Sequence, residues 1–194
     1  MKIEALKKSG KIQWSVGVFL LTALISVFLA APSLAKTAKE IDASVDVAIK
    51  RFYQQVAGAD EFVKASKGML VMPNVVKGAF IIGGEYGEGA LRIGGKTVDY
   101  YNTISGSFGL QIGGQSKDII LLFMTEEALK KFRASNGWET GIDGNVALIS
   151  VGAGGRADTT TLKDPIVGFV FDAKGLIADV SLKGAKFTKV EKKE

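Results

Sequence analysis

Cysteine and histidine are both absent from the 194-residue sequence. Without them, the usual Ser-His-Asp and Cys-His catalytic arrangements cannot form, and the common zinc sites, which use thiolate or imidazole ligands, are excluded as well. The absence of cysteine also excludes disulfides and lipid attachment through a thiol, so the fold must be stabilised by packing. Carboxylates, lysines, tyrosines and hydroxyls remain. We therefore expect a protein that is not an enzyme and uses no cofactor or metal.

Residues 14–31 contain no charged side chain. Four lysines precede this apolar run, and Pro32 follows it, with the small residues Ser33 and Ala35 after the proline. This order is typical of a bacterial secretory signal, so we predict cleavage after Ala35, release to the periplasm or the medium, and one mature domain over residues 36–194. The alternative is an inner-membrane anchor formed by residues 14–31, because about 18 apolar residues can span a bilayer.

The positive charge of the chain lies largely in this signal. The whole sequence has 25 Lys and Arg against 20 Asp and Glu. The first 35 residues hold four of the lysines and one glutamate, which leaves 21 against 19 in the mature chain. A net charge of +2 is too small for a nucleic-acid-binding surface, so we expect no nucleic-acid partner, and an anionic partner must be bound by a local patch.

Three segments have the pattern of helices. Apolar residues recur at spacings of three and four over residues 38–56, which predicts an amphipathic helix. A short second helix is predicted over residues 60–67, with Asp60 as its N-cap and Gly68 as its end. The third begins at Thr125, a favourable N-cap that two glutamates follow.

The rest of the mature chain consists of short apolar or β-branched segments closed by glycine. Pro73-Asn74 predicts a turn, Gly94-Gly95 predicts a hairpin, and the last four residues are expected to fray. The expected strands are Met69–Met72, Val75–Ile82, Tyr86–Ile93, Thr97–Ile104, Ser107–Ile112, Ile119–Met124, Val146–Val151, Ile166–Phe171 and Leu176–Leu182. The fold class is therefore α+β, with N-terminal helices followed by a strongly curved, mainly antiparallel, Gly-rich β-sheet or barrel with one inserted helix.

The glycine-rich segment Gly83–Gly89 does not fit a phosphate-binding loop, because it contains two carboxylates and precedes a strand rather than a helix. We predict a tight turn or bulge there. Glu85, Glu88 and Asp99 could form a carboxylate pair for glycoside hydrolysis or a calcium site. The enzyme interpretation requires Glu85 or Glu88 in a cleft beside Tyr86 with a raised pKa.

Basic residues near the first helices and the start of the sheet form a candidate rim for contact with an anionic bilayer, where each cation contributes about 1 kcal/mol. These residues are Lys50, Arg51, Lys64, Lys67 and Lys77. Phe52, Phe62 and Met69 are expected as apolar neighbours of the rim. The alternative is that these cations are solvated helix ends. A second group is expected to be a solvated tail: Lys183, Lys186, Lys189, Lys192 and Lys193.

Four segments, in order, resemble the signature sequences of the SYLF domain family. They are residues 67–78 (KGMLVMPNVVKG), 83–91 (GGEYGEGAL), 108–115 (FGLQIGGQ) and 174–184 (KGLIADVSLKG). One departure is Tyr100–Thr103, which stands where many members have a Trp-x-x-Pro-x-Phe-like segment.

The resemblance implies lipid binding. Eukaryotic members bind phosphoinositides, some fungal members bind actin, and bacterial members are exported proteins. We therefore expect a non-catalytic protein that binds anionic phospholipid at a membrane surface, with actin an unsuitable partner for an exported chain. The alternatives are a periplasmic carrier that encloses an apolar lipid, and a structural protein of the cell envelope.

Overall fold

A computed structural model describes residues 36–78, 84–106, 115–150, 163–174 and 181–193. The predicted signal peptide, the predicted strand over 107–112 and most of the predicted strand over 176–182 lie outside these residues.

The first helix, α1, spans Ala38–Gln55 and confirms the prediction for residues 38–56. Its start is fixed by a capping box: the Thr37 hydroxyl oxygen accepts from the Glu40 backbone N–H at 3.3 Å, and the Glu40 carboxylate accepts from the Thr37 N–H at 2.8 Å. This exchange satisfies two backbone donors that the first turn leaves without a helical partner.

Helix α2 spans Ala59–Ala65. The predicted N-cap at Asp60 was wrong, because the helix is preceded by Gly58, whose φ of 86° is in the left-handed region. Glycine adopts this conformation without a Cβ penalty, and Asp60 lies in the first turn, where its charge complements the helix dipole. Helix α3 spans Glu126–Ala134 and begins as predicted, with the Thr125 hydroxyl accepting from the Ala128 N–H at 3.2 Å.

In the part of the chain that the structure describes, eight strands form one mixed, strongly curled sheet in the order β5-β8-β3-β2-β1-β4-β7-β6. All pairs are antiparallel except β6 with β7. The strands are β1 Gly68–Gly78, β2 Gly84–Ile93, β3 Lys96–Gly106, β4 Gln115–Phe123, β5 Trp138–Glu139, β6 Ala147–Ser150, β7 Ile166–Lys174 and β8 Lys186–Val190. The predicted α+β class with a mainly antiparallel curved sheet is confirmed.

Strand β1 corrects one boundary. Pro73-Asn74 is a bulge inside a continuous strand, not a turn between two strands, since the register shifts around this pair on both sides of β1. Asn74 has a φ of 50°, and its N–H donates to Asp118 at 2.8 Å. The carboxylate of β4 thus satisfies a donor that the bulge removes from the ladder.

Residues 84–89 of the glycine-rich segment lie in β2, so the predicted turn or bulge was wrong for them. Gly83 lies outside the described residues. A Cβ on Gly89 would lie 1.9 Å from the carbonyl oxygen of Val71, and one on Gly87 would lie 2.7 Å from Val75 Cγ2. These glycines therefore let β2 approach the bulged strand β1 closely. The hairpin at Gly94-Gly95 is confirmed, with φ values of 57° and 79°.

The C-terminal segment is a part of the sheet. Strand β8 pairs with β3 and β5, and Lys189 forms an ion pair with Asp99. Lys186 and Lys189 therefore lie in a strand and not in the predicted tail, although both side chains are exposed. The predicted fraying concerns the residues that follow this strand. Alternation was hard to detect because lysines occupy both parities, although Phe187 is fully buried.

Each face of the sheet is covered by a separate core. On one face α1 and α2 pack on strand residues such as Val71, Ile120 and Phe169. On the other face α3 and Trp138 pack on residues that include Leu121 and Phe187. Among the described residues, no helix is both long enough and apolar enough to span a membrane.

Candidate functional site

Arg51, one of the predicted lipid-binding cations, is held inside the fold. Its guanidinium Nη2 lies 2.6 Å from Asp118 Oδ2, and its Nε lies 3.3 Å from Asp172 Oδ2. The Asp118 side chain is only 1% exposed. Because a buried carboxylate requires a charged partner, Arg51 joins α1 to β4 and β7.

The other four predicted cations do not form one patch. Lys50, Lys64 and Lys67 are exposed, and Lys77 is half-buried. Lys67 immediately precedes β1 and Lys77 lies near its end, roughly 30 Å apart at about 3.3 Å per residue. Contact of these lysines with lipid stays a prediction.

The prediction of apolar neighbours for this rim was partly wrong. Phe52 and Phe62 are fully buried in the core beneath α1 and α2, and Met69 is half-buried against the same core. These aromatic rings pack on Phe169 at centroid distances of 5.0 and 5.2 Å. They therefore stabilise the domain and are not available to a membrane.

Two exposed apolar side chains lie near the opposite end of β1, on either side of Tyr86. Val76 is 44% exposed and Ile104 is 54% exposed. Val76 pairs with Tyr86, and Tyr86 pairs with Ile104. Directly paired residues of antiparallel strands point to the same face, so Tyr86, itself half-buried, lies between two exposed apolar side chains.

Lysines continue this row on both sides. Val76 pairs with Ser116, which pairs with Lys174 on β7, while Ile104 pairs with Lys186 on β8. The Lys174 side chain is 64% exposed, and Lys186 is exposed as well. We call these residues the strand-end row: Lys174, Ser116, Val76, Tyr86, Ile104 and Lys186. At about 4.8 Å per strand, the row measures about 24 Å along the sheet.

The strand-end row was missed by sequence reasoning because it exists only once the strand registers are known. Val75 and Val76 are adjacent, so one of them must face away from the other. Val75 is buried, and Val76 continues the face on which Val71 packs against α1. The signal in the sequence was the adjacent pair Val75-Val76 in a predicted strand. Two consecutive apolar residues put one apolar side chain on each face, and one of those faces can be exposed.

The three carboxylates considered for catalysis are each paired with a cation. Glu85 lies 2.9 Å from the Lys117 ammonium, and Asp99 lies 2.8 Å from the Arg133 guanidinium. Glu88 accepts from Lys192 at 2.6 Å. The Glu85–Lys117 pair lies within the sheet, whereas Asp99 is joined to α3 and Glu88 to the segment after β8.

The pKa of Glu88 does not meet the condition set for a catalytic acid. Burial alone would raise this pKa, but hydrogen bonds from Lys192, the Lys36 backbone and Tyr86 outweigh burial and lower it. Burial and the bond to Glu88 raise the pKa of Tyr86 to about 12, so the phenol stays protonated. Within the described part of the chain, no group of three acidic residues is arranged to hold a metal ion.

A cavity of about 670 Å³ opens between α3, the β5–β6 connection and the start of β7. Ala128, Trp138, Val146 and Ile166 form its apolar wall, and Glu127 is among its polar lining residues. Its size suits a small ligand, and it lies on the face of the sheet opposite the strand-end row.

Comparison with known proteins gives one family. Residues 104–194 match the Ysc84 family model, described as "Las17-binding protein actin regulator". No curated protein matches the chain. The matched segment begins at Ile104 and includes Lys174 and Lys186 of the strand-end row. The resemblance to the SYLF family is therefore confirmed for residues 104–194, which contain two of its four segments, residues 108–115 and 174–184.

Proposed function

We propose that this protein is exported, loses residues 1–35, and binds anionic phospholipid at a membrane surface without catalysing a reaction. The observation that carries the proposal is the strand-end row, in which Val76 and Ile104 are exposed between Lys174 and Lys186. The family supports a binding role, since its description names a binding protein and actin regulator. Actin is not available to an exported chain, whereas anionic phospholipid is.

The chemistry of the row suits the interface of an anionic bilayer. A valine or isoleucine that moves fully from water into an apolar environment gains roughly 1.5–3 kcal/mol, and the half-exposed Val76 and Ile104 would gain part of that. Each lysine near an anionic surface adds about 1 kcal/mol. Together these contributions give a few kcal/mol, which corresponds to weak, reversible and salt-sensitive binding.

Co-sedimentation with vesicles tests the proposal. Protein purified from the exporting cell should bind vesicles containing phosphatidylglycerol, bind neutral phosphatidylcholine vesicles much less, and dissociate as salt rises. Ile104→Ser should weaken this binding several-fold. Ile142→Ser is the matched control, because Ile142 is 75% exposed in a turn outside the row. Absence of binding to both vesicle types, or equal effects of the two substitutions, would contradict the proposal.

Export has its own test. Cell fractionation should find the protein outside the cytoplasm, with an intact mass equal to residues 36–194. A full-length chain retained in the inner membrane would instead support the anchor alternative for residues 14–31.

A carrier of an enclosed apolar ligand is the second candidate, favoured by the cavity beside Trp138. Native mass spectrometry of the purified protein distinguishes it from the first. A stoichiometric lipid that survives detergent-free purification, and that is lost in Ala128→Trp, would support the carrier. An unliganded mass with intact vesicle binding would support the surface site.

A further inference from the structure

Glu88 holds both ends of the mature domain at one buried carboxylate. The residue is 6% exposed. Its Oε1 accepts from Lys192 Nζ at 2.6 Å and from the Tyr86 hydroxyl at 3.0 Å. Its Oε2 accepts from the backbone N–H of Lys36 at 3.0 Å. A residue near the C-terminus and the residue that follows the predicted cleavage site thus share one carboxylate.

The Lys36 nitrogen changes its chemistry if the chain is cleaved after Ala35. Hydrolysis adds the hydroxyl of water to the Ala35 carbonyl carbon and a hydrogen to the Lys36 nitrogen as the peptide bond breaks. At neutral pH the new ends are a carboxylate on Ala35 and an ammonium on Lys36. A neutral amide with one hydrogen becomes a cation with three, already 3.0 Å from Glu88.

A second acceptor lies on the strand next to Glu88. Asn102 on β3 pairs directly with Glu88 on β2, and the Cβ atoms of such cross-strand partners are about 4.5–5.5 Å apart. The side-chain oxygen of Asn102 is buried, and within the described part of the chain it has no hydrogen-bond partner. A buried acceptor without a donor is costly. The Lys36 amide donates its single hydrogen to Glu88 and has none left for Asn102, whereas an ammonium has two further hydrogens.

We propose that cleavage after Ala35 creates an α-ammonium group on Lys36 that forms a buried ion pair with Glu88 and donates a further hydrogen bond to Asn102. The inference rests on the proposed export of the chain. It assigns Glu88 as the residue that binds the processed N-terminus. Processing then stabilises the domain, because the charged end is held only in the folded state.

The charged groups around this nitrogen come from three parts of the chain. On the sheet they are Glu88 and Tyr86, and in the C-terminal segment the cation is Lys192. On the N-terminal side are the Lys36 side chain and Glu40, whose carboxylate is engaged with Thr37. A backbone bond from Ala38 N–H to the Lys193 carbonyl at 3.3 Å joins the two ends next to the pair. The net effect of Glu88 on an adjacent ammonium is to favour its charged form.

The first test measures the pKa of the α-amino group in protein purified after export. Mass spectrometry establishes that the chain begins at Lys36, and the pH dependence of N-terminal acylation gives the pKa. We expect a value at least about one unit above the ordinary 7.7–8.0, and a return to the ordinary range in Glu88→Gln. An ordinary value in the unaltered protein would overturn the proposal, even if the variant fails to fold.

The second test separates an ion pair from a general effect of the chain end. One alanine is inserted after Ala35, so that the exported chain starts one residue earlier and the Lys36 nitrogen is again an amide. We expect this extension to raise the unfolding equilibrium constant about tenfold, the factor that one pKa unit represents, and to have little effect in Glu88→Gln. An equal effect in both backgrounds would overturn the proposal.

These results are distinguishable from failure of export. A full-length chain in the membrane overturns export, and with it the processed end. An exported chain that begins at Lys36 with an ordinary pKa overturns the ion pair and leaves export and vesicle binding intact.

Discussion

The two ends of β1 differ in what they expose. Near Gly68, the exposed Lys64 lies within α2, whose first turn carries Asp60 and Glu61. The exposed Lys67 lines a groove with Glu126 and Glu127 of α3. Near Gly78, Val76 lies in a row with the exposed Ile104, and Lys174 and Lys186 extend that row. The end near Gly68 carries both signs of charge. The strand-end row combines exposed apolar side chains with two lysines, of which Lys174 lies 3.4 Å from Asp172.

Positive charge by itself therefore does not identify a membrane-binding surface. Cations that complement helix dipoles or buried carboxylates serve the fold, as Arg51 does with Asp118. A surface that binds an anionic bilayer also needs apolar side chains that can leave water. The strand-end row has both.

The largest effect is expected where Gly89 of β2 packs against the middle of β1. Gly89→Ala places a Cβ 1.9 Å from the Val71 carbonyl oxygen, which forces β1 and β2 apart. We expect a loss of about 4 kcal/mol or more in the free energy of unfolding, measured by urea denaturation. Gly106→Ala is the control, because a Cβ there meets nothing within 4 Å. Similar losses in both variants would contradict the close packing described for β2.

The second effect separates a structural cation from a surface one. Arg51→Ala leaves the Asp118 carboxylate, 1% exposed, without a cation, and breaking a buried pair costs roughly 3–5 kcal/mol. Its exposed neighbour Lys50 serves as the control, and Lys50→Ala should change stability by less than about 0.5 kcal/mol. Equal stabilities of the two variants, by thermal or urea unfolding, would show that Arg51 is not part of the fold.

The third prediction compares the two ends directly. Reversing the charge in Lys174→Glu/Lys186→Glu should weaken binding to phosphatidylglycerol vesicles at least tenfold, since each lysine contributes about 1 kcal/mol and each glutamate adds repulsion. The pair Lys64→Glu/Lys67→Glu changes the net charge equally at the other end, and we expect a smaller loss. A larger loss of vesicle binding in Lys64→Glu/Lys67→Glu than in Lys174→Glu/Lys186→Glu would favour the predicted basic rim as the binding site.

The smallest effect is a pH dependence that comes from Glu88. Its pKa in the folded state is lowered from 4.5, because the hydrogen bonds from Lys192, Lys36 and Tyr86 outweigh the opposing effect of burial. The stability that these bonds contribute is present above about pH 4.5 and is lost as the pH falls through the lower, folded-state pKa. The difference in unfolding free energy between the unaltered protein and Glu88→Gln should therefore shrink in acid. A difference that does not change with pH would contradict this.

Much of the fold could be predicted from local signals. The periodicity of α1, the cap at Thr125 and the hairpin at Gly94-Gly95 act within a few residues, and the structure confirms each. The errors came where distant contacts decide. Pro73-Asn74 forms a bulge because Asp118 binds its free N–H, and β8 joins the sheet through its pairing with β3.

The candidate site could be predicted less well than the fold. Lysine composition indicated basic patches, but only the registers bring residues as far apart in sequence as Val76 and Ile104 into one row. Burial also changed one interpretation, since Phe52 and Phe62 were expected as apolar neighbours of the basic rim and are core residues in the fold. Sequence alone cannot assign a face to a residue before the strand pairing is known.

The most direct test of membrane binding through the strand-end row measures which end of β1 enters the membrane. The chain has no cysteine, so Ile104→Cys and Lys67→Cys can each carry one environment-sensitive fluorophore. With vesicles of phosphatidylglycerol and brominated lipid, we predict a blue shift and strong quenching at position 104 and little change at position 67. Quenching at position 67 with none at position 104 would contradict the central claim.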